Sequence, residues 1–254
     1  MRLVKKVIKL IFLLSLLVFV SLTLYKFPYP EPSQVVDSIK VNDPKQEKIT
    51  QAQVNLYAGE LSYEIQPKYS YDLWGLVVSQ HDSGSFLDIY HKKDPANTHD
   101  ICVVWGKNID NESYKKVKFS SGDFVCYYKW RAGENPGISG LYLANNHLVP
   151  ANPELAKIIS QTNIGDQIHL KGFLSEYKIY DKTGYLKLSR GTSIARDDTG
   201  NGACETIYVT DYEIVRKSNA ALANQIRKYS LYSLTVTAIL GMVLFMFYDE
   251  KKSG

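Results

Sequence analysis

Two stretches without a single charge, one at each end of the chain, decide most of what it can fold into. Leu10 to Tyr25 follows a basic start carrying Arg2, Lys5, Lys6 and Lys9. Tyr229 to Tyr248 lies between Arg227-Lys228 and Asp249-Glu250-Lys251-Lys252. A helix needs about 20 mostly apolar residues to cross a bilayer. The first run reaches about that length once Val7 and Ile8 join it and Lys9 snorkels. Its layout also suits a signal peptide, yet no small-x-small cleavage site follows; the exit reads Ser21-Leu22-Thr23-Leu24-Tyr25-Lys26. An uncleaved signal anchor is the better reading. Tyr229, Tyr232 and Tyr248 stand where interfacial aromatics belong, and a buried core helix rarely stays uncharged for so long. The sequence therefore predicts a transmembrane helix at each end and the lipid bilayer as a partner.

Cations set the orientation. Four precede the first span and only Lys26 follows it closely, which keeps the N-terminus in the cytoplasm. Lys251 and Lys252 agree with a cytoplasmic tail; Arg227 and Lys228 disagree, but the first span usually dominates. The expected location is a bacterial inner (cytoplasmic) membrane, with the main domain periplasmic or otherwise extracytoplasmic.

Five parts are then expected. Residues 1–26 form the anchor and 27–54 a stem, extended by Pro28, Pro30, Pro32 and Pro44 and too poor in apolar residues to build a core. Residues 55–216 form a β-rich domain, 217–248 a linker helix with the second span, and 249–254 a tail. Short alternating runs predict strands at Tyr71–Ser79, Phe86–His91, Ile101–Trp105, Lys116–Phe119, Phe124–Trp130, Gln167–Ile179, Tyr185–Ala195 and Glu205–Val215. Turns are expected at 82–85, 120–123, 181–184 and 197–202. One short helix interrupts them, with Asn152 as N-cap, Pro153 in its first turn and Leu155, Ile158 and Ile159 on its apolar face. After the Gly165-Asp166 turn, Gly172 falls where a long strand would bend. Small barrels of the oligonucleotide/oligosaccharide-binding (OB) type coil a strand on such a glycine. The expected fold is mainly β: an OB-like barrel with one short helix, flanked by transmembrane helices.

Composition narrows the function. The excess of 19 Tyr over 9 Phe suits half-buried strand surfaces. A net charge of +4 with no basic stripe argues against nucleic acid. The three cysteines, Cys102, Cys126 and Cys204, form no C-x-x-C and no zinc spacing, so neither a metal nor a cofactor is expected. Cys102 and Cys126, both in predicted strands, are the slightly favoured disulfide pair.

Several segments resemble an uncharacterised family of bacterial membrane-anchored proteins: Trp74-Gly75-Leu76-Val77-Val78-Ser79, Ile101-Cys102-Val103-Val104-Trp105-Gly106, Asn145-Asn146-His147-Leu148, the Gly165-Asp166 strand, and Asp198 to Val209. The resemblance covers roughly residues 70 to 216. It implies an architecture and no chemistry, since that family has no known function.

Candidate chemistry is sparse. No H-E-x-x-H, G-x-S-x-G or paired-carboxylate motif occurs among the five histidines, His81, His91, His99, His147 and His169, and their surroundings. His81 and His99 are read as turn residues, and no residue is assigned a catalytic role. Asn145-Asn146-His147 reads either as a turn, where asparagine bonds its own backbone, or as a pocket wall offering Asn146 and His147. The stretch Arg190 to Glu205 concentrates Arg190, Arg196, Asp197, Asp198 and Glu205 around Gly200 and Gly202. Arg190 and Arg196 would hold an anion there, or Asp198 and Glu205 would satisfy those arginines within the fold. Trp74, Trp105 and Trp130 are expected in the core. The functional expectation is a membrane-anchored binding or assembly protein of the cell envelope with an envelope protein partner. The alternative is an envelope hydrolase acting on a lipid, glycan or phosphate ester.

Overall fold

The computed structural model describes residues 2–25, 28–82, 94–122, 124–195, 198 and 204–249. Its helices are α1 (Arg2–Leu24), α2 (Asp37–Val41), α3 (Lys107–Asp110), α4 (Ser113–Lys116), α5 (Pro153–Ile159) and α6 (Asn219–Asp249). Its strands are β1 (Lys45–Lys48), β2 (Val54–Ala58), β3 (Leu61–Asp82), β4 (His99–Val104), β5 (Lys118–Gly122), β6 (Val125–Lys129), β7 (Leu143–Pro150), β8 (Gln167–Tyr180), β9 (Leu186–Arg190) and β10 (Glu205–Arg216). The chain divides into two units, residues 29–218 and the two terminal segments, 1–28 with 219–254.

The sheet unit is organised by its two longest alternating stretches. β3 pairs antiparallel with β8 from Ser62↔Tyr180 to Leu76↔Gln167, and beyond that point with β4, from Leu76↔Val104 to Asp82↔His99. One long strand therefore serves two neighbours in succession. β4 pairs antiparallel with β7, β7 parallel with β10, and β10 antiparallel with β8. The pairings thus run β3-β4-β7-β10-β8 and return to β3 within one large mixed sheet. β1 and β2 add to β3, β9 adds to β8, and β5 with β6 forms a separate hairpin.

Local chemistry explains several elements. The Asn152 side chain accepts from the Leu155 amide at 2.9 Å, Pro153 follows where no N–H is needed, and α5 buries Leu155 and Ile159. At 181–184, Asp181 Oδ1 accepts the Thr183 and Tyr185 amides, and Gly184 supplies φ +80°. Gly172 pairs with both Tyr71 and Val209. An added Cβ there would stand 2.2 Å from the Tyr208 carbonyl oxygen, so the two backbones approach as only glycine allows.

The main core gathers Leu73, Leu76, Ile101, Val103, Leu148, Ile168, Leu170, Leu174, Ile207 and Val209. A second cluster, including Tyr63, Ile65, Val149, Tyr177 and Ile179, packs elsewhere on the sheet. The segment read as a stem departs from expectation: Val35 and Ile39 enter the main core, and β1 joins β3. Tyr29 and Val36 also pack against that core, the Trp105 indole donates to Asp43 (3.2 Å), and the Gln167 side chain accepts from the Val36 amide (2.8 Å) and donates to the Gln34 carbonyl (2.9 Å). Trp105 is buried, Trp74 is half-buried against His169, and Trp130 is exposed, so only the first fits the core expectation. The predicted strand 86–91 and the turn residues 83–85 lie outside the described residues.

The terminal unit consists of α1 and α6, two helices long and apolar enough to cross a membrane. On α1 the half-buried positions recur at Lys5, Ile8, Phe12, Ser15 and Phe19, the three-four spacing of a helix-pairing seam. Ser15 Oγ donates to Ser233 Oγ at 2.8 Å across it.

Candidate functional site

Residues 145–147, weighed above as a turn, form the middle of β7 instead. β4 on one side and β10 on the other bury Asn145, Asn146 and His147 almost completely. The local preference of asparagine for turns loses to two ladders of backbone hydrogen bonds and flanking apolar neighbours. Strand alternation then sorts the side chains onto two faces.

One face looks into the main core, with Ala144, Asn146 and Leu148 beside Ile101, Val103, Ile207 and Val209. Glu205 pairs in register with Asn146 and is buried with it. Asn146 Nδ2 donates to the Ile101 carbonyl at 3.2 Å, while its Oδ1 finds no partner among the described residues. Asn146 and Glu205 therefore belong to the interior.

The other face carries a different set. Asp100, His147 and Thr206 form one row across β4, β7 and β10. Cys102 pairs with Asn145 in the next row, and Cys204, just ahead of β10, continues it. His147 Nδ1 lies 2.6 Å from Asp100 Oδ1, with the two side chains only 3% and 1% exposed. Cys204, whose thiol is half-buried and outside any disulfide, lies on this same face. Asn145 Nδ2 donates to Cys204 Sγ at 3.5 Å, and Sγ donates to the Phe124 carbonyl at the same distance. Burial works against an imidazolium here, but Asp100 and Cys204 outweigh it and push His147 up to about 9.

Phe124 roofs this group. Its ring meets His147 edge-on at 5.6 Å, and its carbonyl also accepts Asn145 Nδ2 at 3.1 Å. Its φ of +62° is unusual for a bulky residue and is kept by these contacts. The hairpin that carries it is pinned to the sheet by the Cys102–Cys126 disulfide, with Sγ atoms 2.09 Å apart and Cα atoms 5.9 Å apart.

Arg190 sits at the end of β9 with its guanidinium 4.1 Å from the Phe124 ring centre and its Nε 3.6 Å from Asp94. Buried Asp94 also accepts the hydroxyls of Tyr63 (3.2 Å) and Tyr177. Arg190 borders a polar cleft of about 500 Å3 together with Gln53, Glu64, Gln66, Glu176 and Ser189. Asp198 is exposed and accepts from Ser193 Oγ at 2.5 Å. Arg196, Asp197, Gly200 and Gly202 lie outside the described residues, as does His91. His81 and His99 are strand residues, paired with Asp100 and Asp82 rather than placed in turns. His169 bonds Asp72 at 2.8 Å and stacks on Trp74.

The structure thus brings together Asp100, His147 and Cys204, of which the sequence singled out only His147. Asp100 and Cys204 are distant in the chain from it, and only strand register unites them. Among the described residues no His/Cys/Asp/Glu group has the arrangement of a metal site. A carboxylate fixing Nδ1 of a buried histidine, with a free thiol on the same face, is the set of groups from which a sulfur nucleophile is activated. Compared with known proteins, the chain matches no family model, no curated protein and no solved structure.

Proposed function

We propose that this is a membrane-anchored, extracytoplasmic protein of the bacterial envelope whose domain performs thiol-based acyl transfer or hydrolysis at Cys204. The Asp100–His147–Cys204 arrangement carries the reading. A ring made more basic by its bond to Asp100 is suited to take the thiol proton and leave the sulfur nucleophilic. Cys204 Sγ then bonds to an acyl carbonyl carbon, and Asn145 Nδ2 is placed to donate toward the oxygen that gains charge. The leaving alcohol or amine takes its proton from His147. Water releases the acyl group in a second step, giving its proton to the ring, and Asp100 holds the imidazole in one tautomer throughout.

The surrounding fold supports an OB-type barrel. Its five-strand circuit shares one long strand between two neighbours, sets β7 parallel to β10 and places α5 between β7 and β8. In such barrels the face of the second and third strands binds ligands, and here β4 and β7 hold Asp100 and His147. A binding or assembly role without chemistry is favoured by the polar cleft beside Arg190, which offers an envelope partner amide, carboxylate and guanidinium groups.

Incubation with p-nitrophenyl acetate separates the two. Acetylation of Cys204, read by intact mass, is expected in the wild type and absent in Cys204→Ser. His147→Ala should slow it by about 10²–10⁴-fold. Acetylation no faster than that of a free cysteine, or unchanged by His147→Ala, leaves the binding role alone.

A further inference from the structure

We infer that α1 and α6 form a binding site for one anionic phospholipid, its phosphodiester held by Lys5 and Lys9. The proposal rests on the reading that both helices span a bilayer. A groove of about 370 Å3 lies between them, walled by Ile8, Phe12, Leu244 and Phe245 and headed by the two lysines. Lys5 and Lys9 stand one turn apart on the same face, about 6 Å along the axis, so one phosphate reaches both ammonium groups.

The groove has a structural origin. Ser15 and Ser233 tie the helices together farther along the seam, and Gly241 removes a side chain opposite the basic end. Nothing lies within 4 Å of where a Gly241 Cβ would stand. Thr237 turns its hydroxyl back to the Ser233 and Leu234 carbonyls, so the wall it presents is apolar. Apolar walls ending in paired cations complement acyl chains ending in a negative headgroup. Basic pockets between membrane helices select anionic lipid in this way. Lys6 belongs to the same basic start and is not among the described residues lining the groove, which makes it a charge-matched control.

The test uses the full chain in nanodiscs of phosphatidylcholine containing one-tenth phosphatidylglycerol, followed by extraction and native mass spectrometry of retained lipid. Phosphatidylglycerol should be retained over phosphatidylcholine about tenfold or more, as expected when about 1.4 kcal/mol separates the two. Lys5→Gln with Lys9→Gln should abolish the preference, Gly241→Leu should abolish it by filling the groove, and Lys6→Gln should leave it intact. Equal losses in Lys9→Gln and Lys6→Gln would overturn the site in favour of diffuse attraction to a basic terminus. A preference that survives Gly241→Leu would overturn the groove. Should Gly241→Leu disturb helix pairing, the Lys9→Gln and Lys6→Gln comparison still decides. Failure to enter nanodiscs at all would overturn the anchor reading and this proposal with it; entry without preference overturns the lipid site alone.

Discussion

Burial by itself drives an imidazole toward its neutral form, and His147 shows what it takes to reverse that. With 3% exposure it is raised from 6.5 to about 9 by Asp100 and Cys204. Because the folded value exceeds the unfolded one, the stabilisation is complete below about pH 6.5 and is lost as pH rises through about 9. Its size is about 3 kcal/mol. Urea midpoints measured at pH 6 and pH 9.5 should therefore fall with rising pH, and Asp100→Asn should flatten that fall while lowering stability at pH 6. An Asp100→Asn variant with the wild-type pH slope would separate His147 from Asp100 and undo the proposed tautomer control. Neither partner of this histidine was legible locally. Asp100 carried no signal of its own and Cys204 stood only outside the favoured disulfide pair, because the register that aligns them spans residues 100 to 204.

At the scale of elements, legibility followed whether the deciding interaction is local. α5 was readable because its cap and its proline act within one turn. β8 was readable because alternation and Gly172 both lie inside it. β7 was open to misreading because two asparagines and a histidine carry a turn signature that only neighbouring strands override. The region before residue 54 was misread for a related reason: Val35 and Ile39 are too few to announce a core, yet they complete one built elsewhere. Trp130 misled the other way: it follows β6 at the end of the hairpin and stays exposed. Gly172 gives the clearest mutational test. Alanine there meets the Tyr208 carbonyl and the Ile207 side chain, so the β8–β10 ladder must open. Gly172→Ala should cost about 1–3 kcal/mol or more in urea unfolding. Gly184→Ala, where nothing lies within 4 Å, should lose only about 1 kcal/mol through its positive φ. Equal costs at the two glycines would show that conformation, rather than close approach, fixes Gly172.

Taken whole, the chain carries a sheet domain between two helices long and apolar enough to cross a membrane; if both cross, the two ends of that domain leave the same membrane face. Which face is the question that governs every functional reading. The four cations before the first span favour a cytoplasmic N-terminus. The Cys102–Cys126 bond points the same way, because disulfides persist in the oxidising space outside the cytoplasmic membrane. A nucleophilic Cys204 in that space would meet envelope esters and amides rather than cytosolic ones. Two measurements on intact spheroplasts bear on this together. Alkaline phosphatase inserted near Gly140, in the connection between β6 and β7, is expected to be active. A membrane-impermeant maleimide is expected to label Cys204 without prior reduction, and to label Cys102 and Cys126 only after it. If the phosphatase is silent and the maleimide reaches Cys204 only after lysis, the domain faces the cytoplasm. The thiol would then need a cytosolic substrate, and Lys5 and Lys9 would lie in the outer leaflet.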